Sequence, residues 1–131
     1  MSDLSKTVSP NEPLARYLFS RNHYSSVNER VKHQAFMPKY DNPEVSVFRI
    51  DGLTDVKIWQ IGENIAQESR RPSLKGRADI MTLVVQKCNL IVNSNNNPPR
   101  HANITEWPDD KSKRLQIAME LAEQATLKLK A

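Results

Sequence analysis

One cysteine and three glycines stand in 131 residues. With Cys88 alone, no intramolecular disulfide can form, and a reducing cytoplasm is the expected setting. Gly52, Gly62 and Gly76 are scattered, which excludes the P-loop and dinucleotide fingerprints, whose phosphate cradles need clustered glycine. No serine has the flanking glycines of a nucleophile elbow. No apolar run approaches about 18 residues and the N-terminus has no apolar h-region, so neither a membrane span nor an export signal is expected. His23, His33, His101 and Cys88 lack the His-x-x-x-His or Cys-x-x-Cys spacing that nucleates a metal site, so no metal and no other cofactor is expected.

A basic tail is also missing. The chain carries +4 with a pI near 9.3. Residues 1–50 and 51–100 each hold seven cations against five acids, and 101–131 hold five of each. An anionic partner would therefore have to meet a folded patch, and +4 by itself equally suits plain solubility.

What is present reads as one α+β domain over 13–131, preceded by a flexible tail over 1–12. Pro13 to Ser20 is expected to form a short helix, with Pro13 in the first turn, where a missing N–H costs nothing. Arg21 to Lys39 is irregular and cation-rich, with Glu29 its only acid. Val45 to Ile50 is the clearest strand. Alternation puts Val45, Val47 and Arg49 on one face and Ser46, Phe48 and Ile50 on the other. An Arg on an apolar face needs a carboxylate, an anionic ligand, or solvent at the strand's end.

Thr54 caps a helix over about 54–66 whose Ile58, Ile61 and Ile65 share a face beside Trp59. Gly62 interrupts it at a cost of about 1 kcal/mol relative to Ala, which points to a close backbone contact. Arg70-Arg71-Pro72-Ser73-Leu74-Lys75-Gly76-Arg77 follows as a loop with four cations and no acid. Ala78 to Gln86 fits a strand or a short helix. Cys88 belongs to an apolar run in which a buried, inert thiol is expected. Leu90 to Val92 reads as a short strand, and Asn95-Asn96-Asn97-Pro98-Pro99 forces a turn. His101 to Thr105 is expected to be extended. A final helix over about 110–125 should bury Leu115, Ala118, Met119, Ala122 and Ala125, and 126–129 should make a last strand. A short mixed or antiparallel sheet, packed by the two main helices with Val45–Ile50 central, is the expected architecture.

Arg and His carry the chemistry that survives these exclusions. Arg presents a fork matched to phosphate or carboxylate, and His moves a proton near neutral pH. In an extended segment His101 and Asn103 share a face, as a base and its neighbour would. Arg77 and Asp79, two apart on a strand, could pair. The first expectation is a non-enzymatic domain binding a nucleotide or nucleic acid through Arg49, Arg77, Arg100 and His101 converging on one concave site. Asn103 and the loop cations Arg70, Arg71 and Lys75 would support it. The alternative is a metal-independent phosphodiester or nucleotide hydrolase with His101 as general acid or base. A protein-interaction module is the third. Tyr17, Tyr24 and Tyr40 lie near Arg16, Arg21 and Lys39, a loose form of the aromatic–cation interleaving that binds single strands.

The strings Leu14-Ala15-Arg16-Tyr17, Ser46-Val47-Phe48-Arg49, Arg77-Ala78-Asp79 and Pro98-Pro99-Arg100-His101-Ala102-Asn103-Ile104 resemble a group of small uncharacterised bacterial proteins. The resemblance runs from Leu14 to Leu129. In that group Pro stands where this chain has His33, and Gly where it has Glu106, which speaks against special roles for those two. It implies a bacterial, cytoplasmic origin and no particular activity.

Overall fold

The computed structural model describes residues 5–130. Its first strand, β1 (Pro13–Leu18), occupies the segment expected to be helical. The strand lies inside the sheet with Leu14, Ala15, Tyr17 and Leu18 all buried, so both of its faces are covered. Two-sided burial removes the polar alternation by which a strand is recognised, and the residues then read as a continuous apolar run. Pro13 is tolerated because it is the strand's first residue, where a missing donor breaks little of the ladder.

A hairpin of β2 (Tyr24–Ser25) and β3 (Arg30–Val31) stands apart as its own small sheet. The expected central strand is β4 (Val45–Arg49). Helix α1 (Asp55–Glu68) follows, capped by the Thr54 hydroxyl accepting from the Lys57 N–H. The ambiguous segment divides into β5 (Gly76–Met81) and the short α2 (Thr82–Lys87). Then come β6 (Ile91–Ser94), β7 (His101–Thr105), α3 (Lys111–Gln124) and β8 (Thr126–Leu129).

The main sheet has the order β6-β7-β4-β1-β5-β8, and every pairing in it is antiparallel. The face bearing Leu14, Leu18, Val45, Val47, Ala102 and Ile104 packs with Phe36, Val85, Trp107, Ala118 and Leu121. The opposite face offers Ala15, Tyr17 and Phe48 to Ile58 of α1 and to Leu74. Helices thus lie on both sides of the sheet. At Gly62 α1 lies close against β1: a Cβ there would come within 2.7 Å of the Tyr17 ring. That is the close contact its position in the helix implied.

Two other expectations give way. Residues 5–12 are not a loose tail: Val8 is buried, Thr7 bridges to Asn93, and Glu12 is buried against Arg49. Pairing Leu14 with Arg49 brings the Glu12 carboxylate beside the buried guanidinium. The rest of the expected tail, residues 1–4, lies outside the described residues. Helix α3 buries Arg114, Ala118, Leu121 and Ala122, while Leu115 and Met119 are 38% and 54% exposed. Arg114 donates to the carbonyls of Pro108 and Tyr40 from a core-facing position. One residue is about 100° of helix rotation, so seating Arg114 inward turns Leu115 outward.

Candidate functional site

The antiparallel registers decide which of the expected site residues can meet. Arg49 pairs across with Leu14 and shares the face that packs against α3. Its guanidinium binds both oxygens of Glu12 at 2.8 Å, and Nη1 also donates to the Ser5 carbonyl and, at 3.3 Å, to the Ser94 hydroxyl. These bonds hold the Glu12 carboxyl below its ordinary range, the Arg49 hydrogen bond being the main cause. Arg49 is an internal clamp whose donors are already satisfied.

Arg77 lies on the other face, opposite Tyr17. It is 1% exposed, donates to both Asp79 oxygens at 3.1 and 3.2 Å, and bonds Asp55. The expected Arg77–Asp79 pair is present, and the Trp59 ring caps it 4.6 Å from the guanidinium carbon. Burial raises the Asp79 carboxyl and outweighs the attraction of Arg77 and Lys128. Exposed Asp55 is lowered, chiefly by its bond to Arg77.

His101 and Asn103 do share a face, standing opposite Phe48 and Ser46 of β4. The His101 Nε2 lies 2.7 Å from the Ser46 hydroxyl, and its ring sits edge-on to Phe48 at 5.3 Å. Nδ1 is buried without a partner among the described residues. A proton on Nδ1 would be an unsatisfied buried donor, which costs about 1–3 kcal/mol. The proton therefore belongs on Nε2, donated to Ser46. In that tautomer His101 takes no proton from the serine, and among the described residues no carboxylate lies within 4.0 Å of its ring to orient it as a general base requires. Burial also pushes its pKa down. Arg100 holds the rim by donating to the carbonyls of Arg49 and Asp51 at 3.1 and 3.3 Å.

The expected convergence of Arg49, Arg77, Arg100 and His101 is therefore corrected. Arg49 points through the opposite face of the sheet from Arg77 and His101, and β4 and β1 separate the strands carrying those two. The physical reason is parity: Arg49 and Phe48 are adjacent on one strand, so their side chains oppose each other.

The loop cations form a different group. Arg70 and Arg71 follow the last turn of α1, where the Arg71 N–H bonds the Ala66 carbonyl at 3.0 Å. Arg71 stacks over Phe19, its guanidinium carbon 5.1 Å from the ring centre. Gln67, Arg70, Arg71, Ser73 and Lys130 line a shallow hollow of about 400 Å³ with Glu63, whose carboxylate is bonded to Lys130 at 2.8 Å. Among the described residues no carboxylate lies within 4.0 Å of Arg70, Arg71 or Lys75.

Arg16 is a further cation, one that the sequence pattern did not mark as a site residue. On β1 it shares the inner face with Leu14 and Leu18, the same anomaly that drew attention to Arg49. Its Nε donates to the Ala35 carbonyl at 2.8 Å and its Nη1 to the Ser46 carbonyl at 3.0 Å. No described carboxylate pairs with it. Burial first, and Arg71 second, bring its pKa down to about 10. The signal is visible when 13–20 is read as a strand and concealed when it is read as a helix.

Among the described residues no three His, Cys, Asp or Glu side chains gather as metal ligands would. No described helix is long and apolar enough to cross a membrane. No family model, curated protein or solved structure matches the chain.

Proposed function

We propose that this domain binds a phosphate-bearing ligand, a nucleotide or nucleic acid, at the end of the sheet formed by Arg70, Arg71 and Lys75, without transforming it. One contrast carries the reading. Arg49 and Arg77 are neutralised by acids inside the fold, whereas no described carboxylate lies within 4.0 Å of Arg70, Arg71 or Lys75, and Arg70 and Arg71 line a hollow. Stacking on Phe19 orients the Arg71 guanidinium and leaves its fork available to an anion. Anions attract such a group over a distance of roughly 10 Å at moderate salt. The single cysteine, Cys88, supports a reducing cytoplasm, and the resemblance drawn from sequence supports a bacterial one.

Fluorescence anisotropy against labelled oligonucleotides, with thermal stabilisation by nucleotides, tests the reading. Binding should weaken when Arg70, Arg71 and Lys75 are replaced by Ala. The log–log salt slope on duplex DNA should fall by about 0.9 for each phosphate that the protein no longer neutralises. An intact protein that binds no member of the panel at low salt refutes it.

A further inference from the structure

We propose that the open edge of β8 receives an extended segment of a partner protein as an added strand, its apolar side chains turned inward and its acidic ones outward. This surface is separate from the cationic loop, since no residue lines both hollows.

The backbone supplies the first argument. β8 is the last strand of the main sheet and is bonded to β5 on one side only. The Lys130 N–H bonds the Lys75 carbonyl at 3.0 Å, and antiparallel alternation then turns the backbones of Lys128 and Thr126 toward β5 as well. The N–H and C=O groups of Leu127 and Leu129 therefore point out of the sheet, with no strand partner among the described residues. β3 repeats the arrangement. Its neighbour Lys32 bonds the His23 carbonyl at 2.9 Å, so Arg30 faces β2 and the polar backbone of Val31 faces away. A groove of about 1170 Å³ is lined by residues 29–34 on one side and by Ala125, Thr126, Leu127 and Leu129 on the other. Neither β2 nor β5 lines it, so it runs along the unpaired edges of both strands. Open edges of this kind accept an extended peptide through main-chain hydrogen bonds.

Side-chain parity states the chemistry of the guest. Leu127 and Leu129 share the face of β8 that packs toward α3, the side on which Val31 is also buried. Met119 and Ala122 of α3 line the groove there, and Met119 and Leu129 remain exposed. Apolar side chains of an added strand would cover them, at roughly 25 cal/mol for each Å² removed from water. Lys128 alternates with the two leucines, and Arg30 and Lys32 alternate with Val31, so all three cations belong to the outward face. Among the described residues no carboxylate lies within 4.0 Å of Arg30 or Lys32, and Lys128 shares Asp79 with Arg77. Carboxylates at alternate positions of the guest answer these charges across the strands. Of the acids lining the groove, Glu123 stands on α3 and repels a carboxylate turned inward, while Glu29 is outnumbered by Arg30 and Lys32. A second copy of this chain is the poorer guest. Its β8 would bring Lys128 against these cations and would carry β5 on the far side, where β3 already stands.

Fluorescence anisotropy on the full chain tests this with a labelled, capped peptide of alternating Val and Glu, seven residues long. Two control peptides carry Lys in place of Glu, or N-methyl groups on every second amide. Each control should bind at least tenfold more weakly, the first through charge and the second through lost main-chain bonds. Exposed Arg30 and Lys32 changed together to Glu should reverse the preference, so that the Lys peptide binds better than the Glu peptide. Met119→Glu should weaken the Glu peptide tenfold or more. Hydrogen exchange at the Leu127 and Leu129 amides should slow when the Glu peptide is bound. Absence of binding by the Glu peptide overturns the proposal, as does equal binding of the N-methylated peptide or unchanged exchange at those two amides. Sedimentation that finds a dimer broken by Met119→Glu, with the same amides protected in the absence of peptide, assigns the edge to a second copy and overturns it too. None of these results bears on nucleotide binding at the cationic loop.

Discussion

Glu12 grips Arg49 with both carboxylate oxygens at 2.8 Å across 37 residues of sequence. The pair joins the segment before β1 to the end of β4, one strand apart in the sheet. Removing one partner of a buried pair leaves an uncompensated charge, which typically costs about 3–5 kcal/mol. Glu12→Gln should therefore lower stability by an amount of that order in urea denaturation. A change below about 1 kcal/mol would show that the pair is dispensable.

The same pair sets an acid limb. Glu12 has its pKa lowered from 4.5, so its contribution is present above the unfolded value and lost as pH falls through the folded one. The melting temperature of the intact protein should drop below about pH 4.5, and Glu12→Gln should flatten that part of the profile. Identical profiles would assign acid unfolding to other carboxylates.

Gly62→Ala runs against helix propensity. Alanine normally favours a helix over glycine by about 1 kcal/mol. Here the added methyl meets the Tyr17 ring at 2.7 Å, and the Tyr17 hydroxyl is tied to the Ile58 carbonyl at 2.6 Å, so the ring cannot swing aside. Overpacking of this kind costs about 1–3 kcal/mol. The substitution should lower the denaturation midpoint; a raised midpoint would place α1 further from β1.

Glu106 sits at φ 67°, a conformation in which a side chain costs roughly 1–2 kcal/mol. Glu106→Gly should be neutral to stabilising by about 1 kcal/mol, even though glycine loses more entropy on folding. Clear destabilisation would mean that the glutamate side chain makes an interaction worth more than the strain.

His101 offers a pH signature of opposite chemistry to Glu12. Burial lowers its pKa from 6.5, so the folded state holds it neutral and stability falls as pH drops below the unfolded value. His101→Gln should reduce that dependence just below pH 6.5, leaving the part due to His23, which burial lowers in the same direction. Metal-free turnover of a phosphodiester by the intact protein, lost in His101→Gln, would favour the hydrolase reading over simple binding.

Local pattern alone carried a good part of the architecture. Thr54 marks the start of α1 because its side-chain oxygen accepts a free N–H group of the first turn. Val45 to Arg49 showed its faces because strand parity is a property of the backbone. Gly62 disclosed a close approach because nothing else justifies glycine within a helix. In each case the signal lies within a few residues of the feature it describes.

Tertiary pairing decided the rest. Pro13 to Leu18 became a strand because partners on both edges and packing on both faces outweigh local propensity. The rotation of α3 followed from Arg114 finding carbonyls at Pro108 and, 74 residues away in the chain, Tyr40. Which arginines are neutralised is likewise non-local. Arg49 is paired by a glutamate 37 residues earlier and Arg77 by an aspartate 22 residues earlier, while Arg16 meets only carbonyls, 19 and 30 residues later. Periodicity reveals that a charge faces inward, but only the fold brings up the group that answers it.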